Sequence, residues 1–358
     1  MAESSPCKCE PYSLAGKEGL LLGIGNPLLD ISATVSESLL QKYDLKPDDA
    51  IMAEAKHMPL YKELTEKYKA EFIAGGSVQN SLRVAQWILK QPRLSTYFGC
   101  VGNDDYANIL RDRAVAEGVI VQYQVTEAAP TGTCAVLVTD THRSLCANLA
   151  AAEKFTPEHL ASDDSKALIQ KAQVVYTSGF FIAVSPESIL QLAAHAHEHK
   201  LTFAMNLSAP FVSQFFKEPL EKLLPYVDVL FGNEAEAEAF AKAFSIKETN
   251  ITAIAQEIAK LPKLNEARPR VVVITQGCDP VVLIEDHAVK HIPVTKLARE
   301  QIVDTNGAGD AFAGGFLAQM LLGKDYSTCV KCGIFAATHI IQHSGCTFDG
   351  ESTFKVDS

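Results

Sequence analysis

A repeated alternation in the second half of the chain narrows the fold more than any other feature. Short apolar runs are each followed by a longer run with helical spacing: VVYTSGF by SPESILQLAAHAHEH, LTFAMNL by SQFFKEPLEKLLPY, and DVLFGN by EAEAEAFAKAF, with VVVITQG a further apolar run. Strands that are apolar throughout and alternate with helices belong to a mostly parallel sheet covered by helices, an α/β doubly wound architecture. A chain of 358 residues, 47% of them hydrophobic, is long enough to bury one such core and support a smaller appendage.

The first half supplies the appendage. GLLLGIGNPLLDISATV reads as a buried strand, a tight glycine turn and a second extended segment, and HMPLYKELTEKYKAE is helix-like. EFIAGGSVQN gives a strand and a diglycine turn that opens into the helical SLRVAQWILK. LSTYFGCVGND passes from strand to loop before the helix-like YANILRDRAVAEGV. TGTCAVLVTDTHRSLCANLAAA holds two extended runs around a polar turn centred near Thr139 to Arg143, a hairpin pattern. This predicts a small lid of residues 29–74 and 130–152, with residues 1–28, 75–129 and 153–358 forming the large α/β body. No low-complexity linker separates independent domains.

A formal charge of −11 argues against a nucleic-acid partner, which requires concentrated positive charge. It does not exclude a small phosphate ligand, because glycine turns and helix ends bind phosphate without a basic surface. No apolar run reaches the roughly 18 residues of a membrane span, and the N-terminal residues lack a secretory pattern. The expectation is a soluble cytoplasmic protein without a membrane partner, with nuclear entry left open. Nine scattered cysteines read as reduced thiols. Cys7 and Cys9 fall in a polar tail, and Cys329-Val-Lys-Cys332 has redox spacing but lies in a predicted helix, so a structural role is expected. The ten histidines show no zinc-site spacing.

Chemistry concentrates in Asp304-Thr305-Asn306-Gly307-Ala308-Gly309-Asp310-Ala311-Phe312. Glycines permit close backbone approach, and amides at a helix start converge on a phosphate or a developing anion. Asp310 stands where a carboxylate can take the proton of an attacking hydroxyl, so the segment meets both needs of phosphoryl transfer. Taken alone, it reads equally as a generic helix-start turn. Gly23-Ile-Gly25-Asn-Pro-Leu28 has leucine where a dinucleotide motif requires its third glycine, which disfavours a dehydrogenase.

DTNGAGDAFAGGF resembles the signature of the ribokinase-like (pfkB) carbohydrate kinase family. GNPLLDIS, AGGSVQNS, RSLCANLAAA, GFFIAVSPES, NLSAPF and FGNEAEAEAF precede it in order, so that from about Leu21 to Thr347 the chain is similar to the branch of that family that phosphorylates adenosine. The resemblance implies a doubly wound body with a β-rich lid. It also implies a monomer that uses ATP with Mg2+ and transfers the γ-phosphoryl group to the 5′-hydroxyl of adenosine, giving AMP and ADP. A monovalent cation, K+, near the anion hole is compatible with it.

Residue by residue, the resemblance makes Asp310 the catalytic base, Gly307, Ala308 and Gly309 the anion hole, and Arg143 a phosphate-stabilising lid group. Asn26, Asp30, Gly75, Gly76, Ser77 and Asn80 would hold the ribose. Met52, Leu145, Ala147, Phe180 and Phe211 would wall the purine, although each alone reads as ordinary core. Asn233 and Glu236 would lie on the phosphate side, Glu236 meeting magnesium through water. Alone, the pair reads as a helix cap and a surface acid. Thr275 and Gly277 would border the nucleotide. The chain departs from the pattern at Ala50, where a longer amide is expected, at Cys278, which replaces arginine, and at Ile334, which replaces histidine. A sugar kinase or a broader purine-nucleoside kinase of the same family, and a noncatalytic nucleoside-binding sensor, are the competing readings.

Overall fold

The computed structural model describes residues 14, 16–47, 49–139 and 142–356. Cys7, Cys9, Asp140 and Thr141, the last two within the polar turn expected from sequence, lie outside the described residues. Among the described residues fourteen strands follow in chain order: β1 (Leu21–Ile24), β2 (Leu28–Thr34), β3 (Ala50–Met52), β4 (Glu71–Gly75), β5 (Ser95–Gly102), β6 (Ile120–Thr126), β7 (Thr133–Thr139), β8 (His142–Asn148), β9 (Val174–Ser178), β10 (Thr202–Asn206), β11 (Val229–Asn233), β12 (Val271–Gln276), β13 (Asp279–Glu285) and β14 (Ala288–Ile292).

Nine of them form one sheet in the order β14-β13-β12-β11-β10-β9-β1-β5-β6. All neighbours from β12 to β6 pair in parallel, and β13 and β14 add an antiparallel edge. Successive side chains of a strand point to opposite faces, and each face here has its own apolar layer. Leu21, Val271 and Val273 join one cluster, while Leu22, Ile24, Val272 and Ile274 join the other. The first cluster takes the helices Ser77–Leu89, Ala308–Leu321 and Tyr326–Ile340, and the second takes Pro186–Glu198, Glu234–Ala243 and Ile251–Lys260. Cys329 and Cys332 are buried in the Tyr326–Ile340 helix, and burial pushes the Cys332 thiol up to about 12, which suits packing rather than redox chemistry.

The second sheet has the order β3-β8-β7-β2-β4. Its Ile31, Ala135, Leu137 and Cys146 pack with Leu60 and Leu64 of the Met58–Lys67 helix. Alternation sends Asp30, Cys134, Leu145 and Ala147 to the other face, which lines the cavity between the sheets. The strands absent from the sequence reading are β6 and the β13–β14 hairpin. β6 and β14 are the sheet edges, where polar and charged residues such as Gln122, Lys290 and His291 blur the apolar pattern. No helix among the described residues is long and apolar enough to cross a membrane.

Candidate active site

A cavity of about 600 Å³ opens at the carboxyl ends of the parallel strands, the usual ligand position in an open α/β sheet. Asn26 follows β1, Ser178 ends β9, Asn206 ends β10, Asn233 ends β11 and Thr275 lies near the end of β12, and all of them line it. The small sheet closes the opposite side.

Gly307 caps the Ala308–Leu321 helix with φ of 78°, a left-handed conformation that glycine adopts without steric cost. The first-turn amides of a helix have no intrahelical acceptor and carry partial positive charge, and Gly307, Ala308, Gly309 and Asp310 all line the cavity here. Asp310 accepts from Ser77 Oγ at 2.6 Å and from Asn80 Nδ2 at 3.1 Å. Burial pushes its pKa up to about 6, and those two donors oppose the rise.

Asp30 projects from β2 into the same cavity. Burial, then the negative charges of Asp310 and Asp304, push it up to about 8. Gly75 does not line the cavity but backs it, since a Cβ there would stand 2.4 Å from Asp30 Oδ1. Gly76 caps the Ser77–Leu89 helix and, with Ser77 and Asn80, lines the cavity. Asn26 donates to Phe180 O at 3.3 Å, and its buried Oδ1 has no protein partner. That leaves the oxygen available to a ligand donor.

The apolar wall draws on both lobes. Ala50 and Met52 of β3 stand in register with Leu145 and Ala147 of β8, so all four share the cavity face. Phe180 and Phe211 face them with ring centroids 6.0 Å apart.

Asn233 and Glu236 form a helix cap that also stands at the cavity. Asn233 caps the Glu234–Ala243 helix by accepting from Glu236 N at 2.8 Å, and Glu236 Oε2 accepts from Asn233 N at 3.0 Å. Both also line the cavity. Burial raises Glu236 to about 7.

Arg143 reaches the cavity from β8, but its guanidinium is engaged with the turn that precedes the Ala308–Leu321 helix. Nε lies 3.0 Å from Asp304 Oδ1, and Nη2 donates to Val303 O. Asp304 also accepts from Asn306 N at 2.8 Å and from Gly345 N at 2.9 Å. Sequence reasoning missed Asp304 as a working residue. The signal available was its place at the head of the glycine turn, where an Asx side chain characteristically bonds two residues ahead. Asn206, Ser178, Ser208, Thr305 and Asn306 also line the cavity without having been singled out. Thr275 and Gly277 line it too, whereas Cys278 is exposed and Ile334 is buried in the core, and neither faces the cavity.

A doubly wound sheet with a β-rich cover, and a half-buried carboxylate at a glycine-capped helix start, define a phosphotransferase of the ribokinase-like class. The chain belongs to the pfkB family of carbohydrate kinases, whose family model matches residues 38–353. It is 49% identical over 338 residues to adenosine kinase 1 of Arabidopsis thaliana, covering 94% of this chain and 98% of that protein. The solved structure of Anopheles gambiae adenosine kinase in complex with P1,P4-di(adenosine-5) tetraphosphate matches with a TM-score of 0.92 at 62% identity, covering 94% of this chain and all of that one. Schistosoma mansoni adenosine kinase in complex with adenosine and AMP matches with a TM-score of 0.88 at 36% identity, covering 94% of this chain and all of that one.

Proposed function

We infer that the chain transfers the γ-phosphoryl group of ATP to the 5′-hydroxyl of adenosine, producing AMP and ADP. The observation that carries this reading is Asp310, half-buried at the head of the Ala308–Leu321 helix in a cavity that also presents Asp30, Asn26 and an apolar slot. Asp30 and Asn26 would hold the ribose hydroxyls, and Phe180, Phe211, Leu145 and Met52 would enclose the adenine. That arrangement brings the 5′-hydroxyl toward Asp310.

Asp310 accepts the hydroxyl proton as the new O–P bond forms and the bond from the γ-phosphorus to the β,γ-bridging oxygen breaks, with ADP leaving. The amides around Gly307, Ala308 and Gly309 stabilise charge on the transferring group. Magnesium fits as a cation carried by the nucleotide. Among the described residues no group of three or more His, Cys, Asp or Glu could hold a metal, while the buried Glu236 carboxylate faces the cavity. Bound with ATP and met by Glu236 through water, it would neutralise phosphate oxygens. In this reading the chain acts as a monomer.

The test is product formation from ATP-Mg and adenosine, with ribose and inosine as alternative acceptors. AMP should form from adenosine, and Asp310→Asn should lower kcat by about a hundredfold or more. Faster phosphorylation of ribose would discard the acceptor assignment, and adenosine binding without transfer would favour a sensor.

A further inference from the structure

The Ser77–Leu89 helix carries a charged group that the mechanism above leaves unused. Ser77, Asn80 and Arg83 recur at intervals of three and share one side of the helix. Ser77 and Asn80 donate to Asp310, whereas Arg83 is completely buried and does not line the cavity. Its Nη1 donates to Asn80 Oδ1 at 3.1 Å and to Ala74 O at 3.0 Å. Its Nε and Nη2 form a fork on Glu117, at 2.5 Å and 3.1 Å. Glu117 caps the C-terminus of the Asp105–Ala116 helix and also pairs with Arg113 at 2.5 Å.

An asparagine amide has two unlike ends, and a guanidinium can only donate. Arg83 therefore requires the oxygen of Asn80 on its own side, which turns the NH2 group toward Asp310. The flipped amide would set oxygen against carboxylate at one end and NH2 against guanidinium at the other. A buried ion pair adds little stability over apolar packing of the same volume, so stability alone gives weak reason for Arg83 and Glu117 at this position.

We propose that Arg83, anchored by Glu117, is a positioning residue that holds the Asn80 amide in the orientation that donates to the base Asp310. The proposal rests on the kinase reading of the site. It predicts a pH signature, because a lost donor makes the Asp310 carboxylate harder to ionise. Other groups also act on that charge: Asp30 of β2, Tyr97 of β5, Tyr176 of β9, Glu236 of the Glu234–Ala243 helix and Cys346 of the C-terminal segment. Asp304, paired with Arg143, and Arg83 act in turn on Asp30. Arg83→Lys is the informative variant because it keeps the positive charge and loses the planar fork.

The experiment measures kcat and kcat/KM for adenosine against pH in the wild type, Arg83→Lys, Asn80→Ala and the double variant. Arg83→Lys should move the acidic limb upward by roughly one pH unit, the worth of one hydrogen bond to a charged group. At the wild-type midpoint this gives a several-fold loss that recovers at high pH. In the Asn80→Ala background the same substitution should leave the limb where it is. An unmoved limb in Arg83→Lys, or an equal shift without Asn80, overturns the proposal. Should Arg83→Lys fail to fold, Glu117→Asp carries the test, because it keeps the charge and shortens the anchor, with a smaller shift in the same direction expected and no shift overturning it. A wild type that forms no AMP at any pH removes the kinase reading itself, and this proposal with it.

Discussion

Asp30 and Asp310 share one cavity but are poised apart. Asp310 sits at about 6 because Ser77 and Asn80 offset part of its burial, whereas Asp30 sits at about 8 under burial and neighbouring negative charge. Of the two carboxyls, Asp30 is therefore held more strongly in its protonated form and Asp310 ionises more readily. Ribose hydroxyls that donate to Asp30 favour its charged form. Adenosine binding at pH 7 should then release a proton, so calorimetric enthalpies in buffers of different ionisation enthalpy should differ, and a buffer-independent enthalpy would refute this. Both folded values lie above the unfolded value of 3.8, so the native state binds the extra protons and stability falls as pH rises through about 4 to 8. Asp30→Asn removes one such acid. Its Tm should match the wild type near pH 4 and exceed it by about 2 °C or more near pH 8.

At the scale of elements, the turn from Asp304 to Gly307 decides where the Ala308–Leu321 helix begins. A Cβ on Gly307 would stand 3.0 Å from Cys346 Cβ and would force an L-residue into the left-handed region, at a cost of about 1 kcal/mol or more. Gly307→Ala should lower kcat about tenfold or more through displaced anion-hole amides, with the adenosine KM little changed, as steady-state kinetics would show. Arg143 joins β8 of the small sheet to this same turn through Asp304, with side-chain exposures of 9% and 1%. Arg143→Ala leaves the Asp304 carboxylate buried without that ion pair, a loss of about 3 kcal/mol. A fall of several degrees in Tm together with a fall in kcat is expected, and an unchanged Tm would show that the pair does not join the lobes.

The whole molecule is a clamp of two sheets around one cavity, with polar and apolar lining residues contributed from both sides. Adenosine touches both lobes in this reading, so adenosine alone should raise Tm in a concentration-dependent way, equivalent to about 2.7 kcal/mol at a hundredfold excess over Kd. Removing divalent cations with EDTA should abolish AMP formation and leave that adenosine-induced rise intact. Loss of both would place the metal in acceptor binding rather than in the nucleotide.

The local patterns of the sequence determined a good deal by themselves. The strand–helix alternation made a parallel α/β body legible, the polar turn between two apolar runs made a hairpin legible, and the glycines before Asp310 marked a helix start. Each is a short-range property, set by side-chain period or by the dihedral freedom of one residue. Tertiary structure alone decided which distant groups meet. Arg143 bonds Asp304 rather than standing free toward a phosphate, Glu117 reaches back to Arg83 from another helix, and Gly75 serves by making room for Asp30. Cys278 and Ile334 lie away from the cavity although their sequence neighbourhoods pointed to it. The edge strands β6 and β14 escaped notice because one side of each faces solvent and needs no apolar signal. Sheet order places β9 beside β1 and closes the small sheet over both, and that order comes from burying both faces of a sheet at once, a condition on the whole chain that no short window encodes.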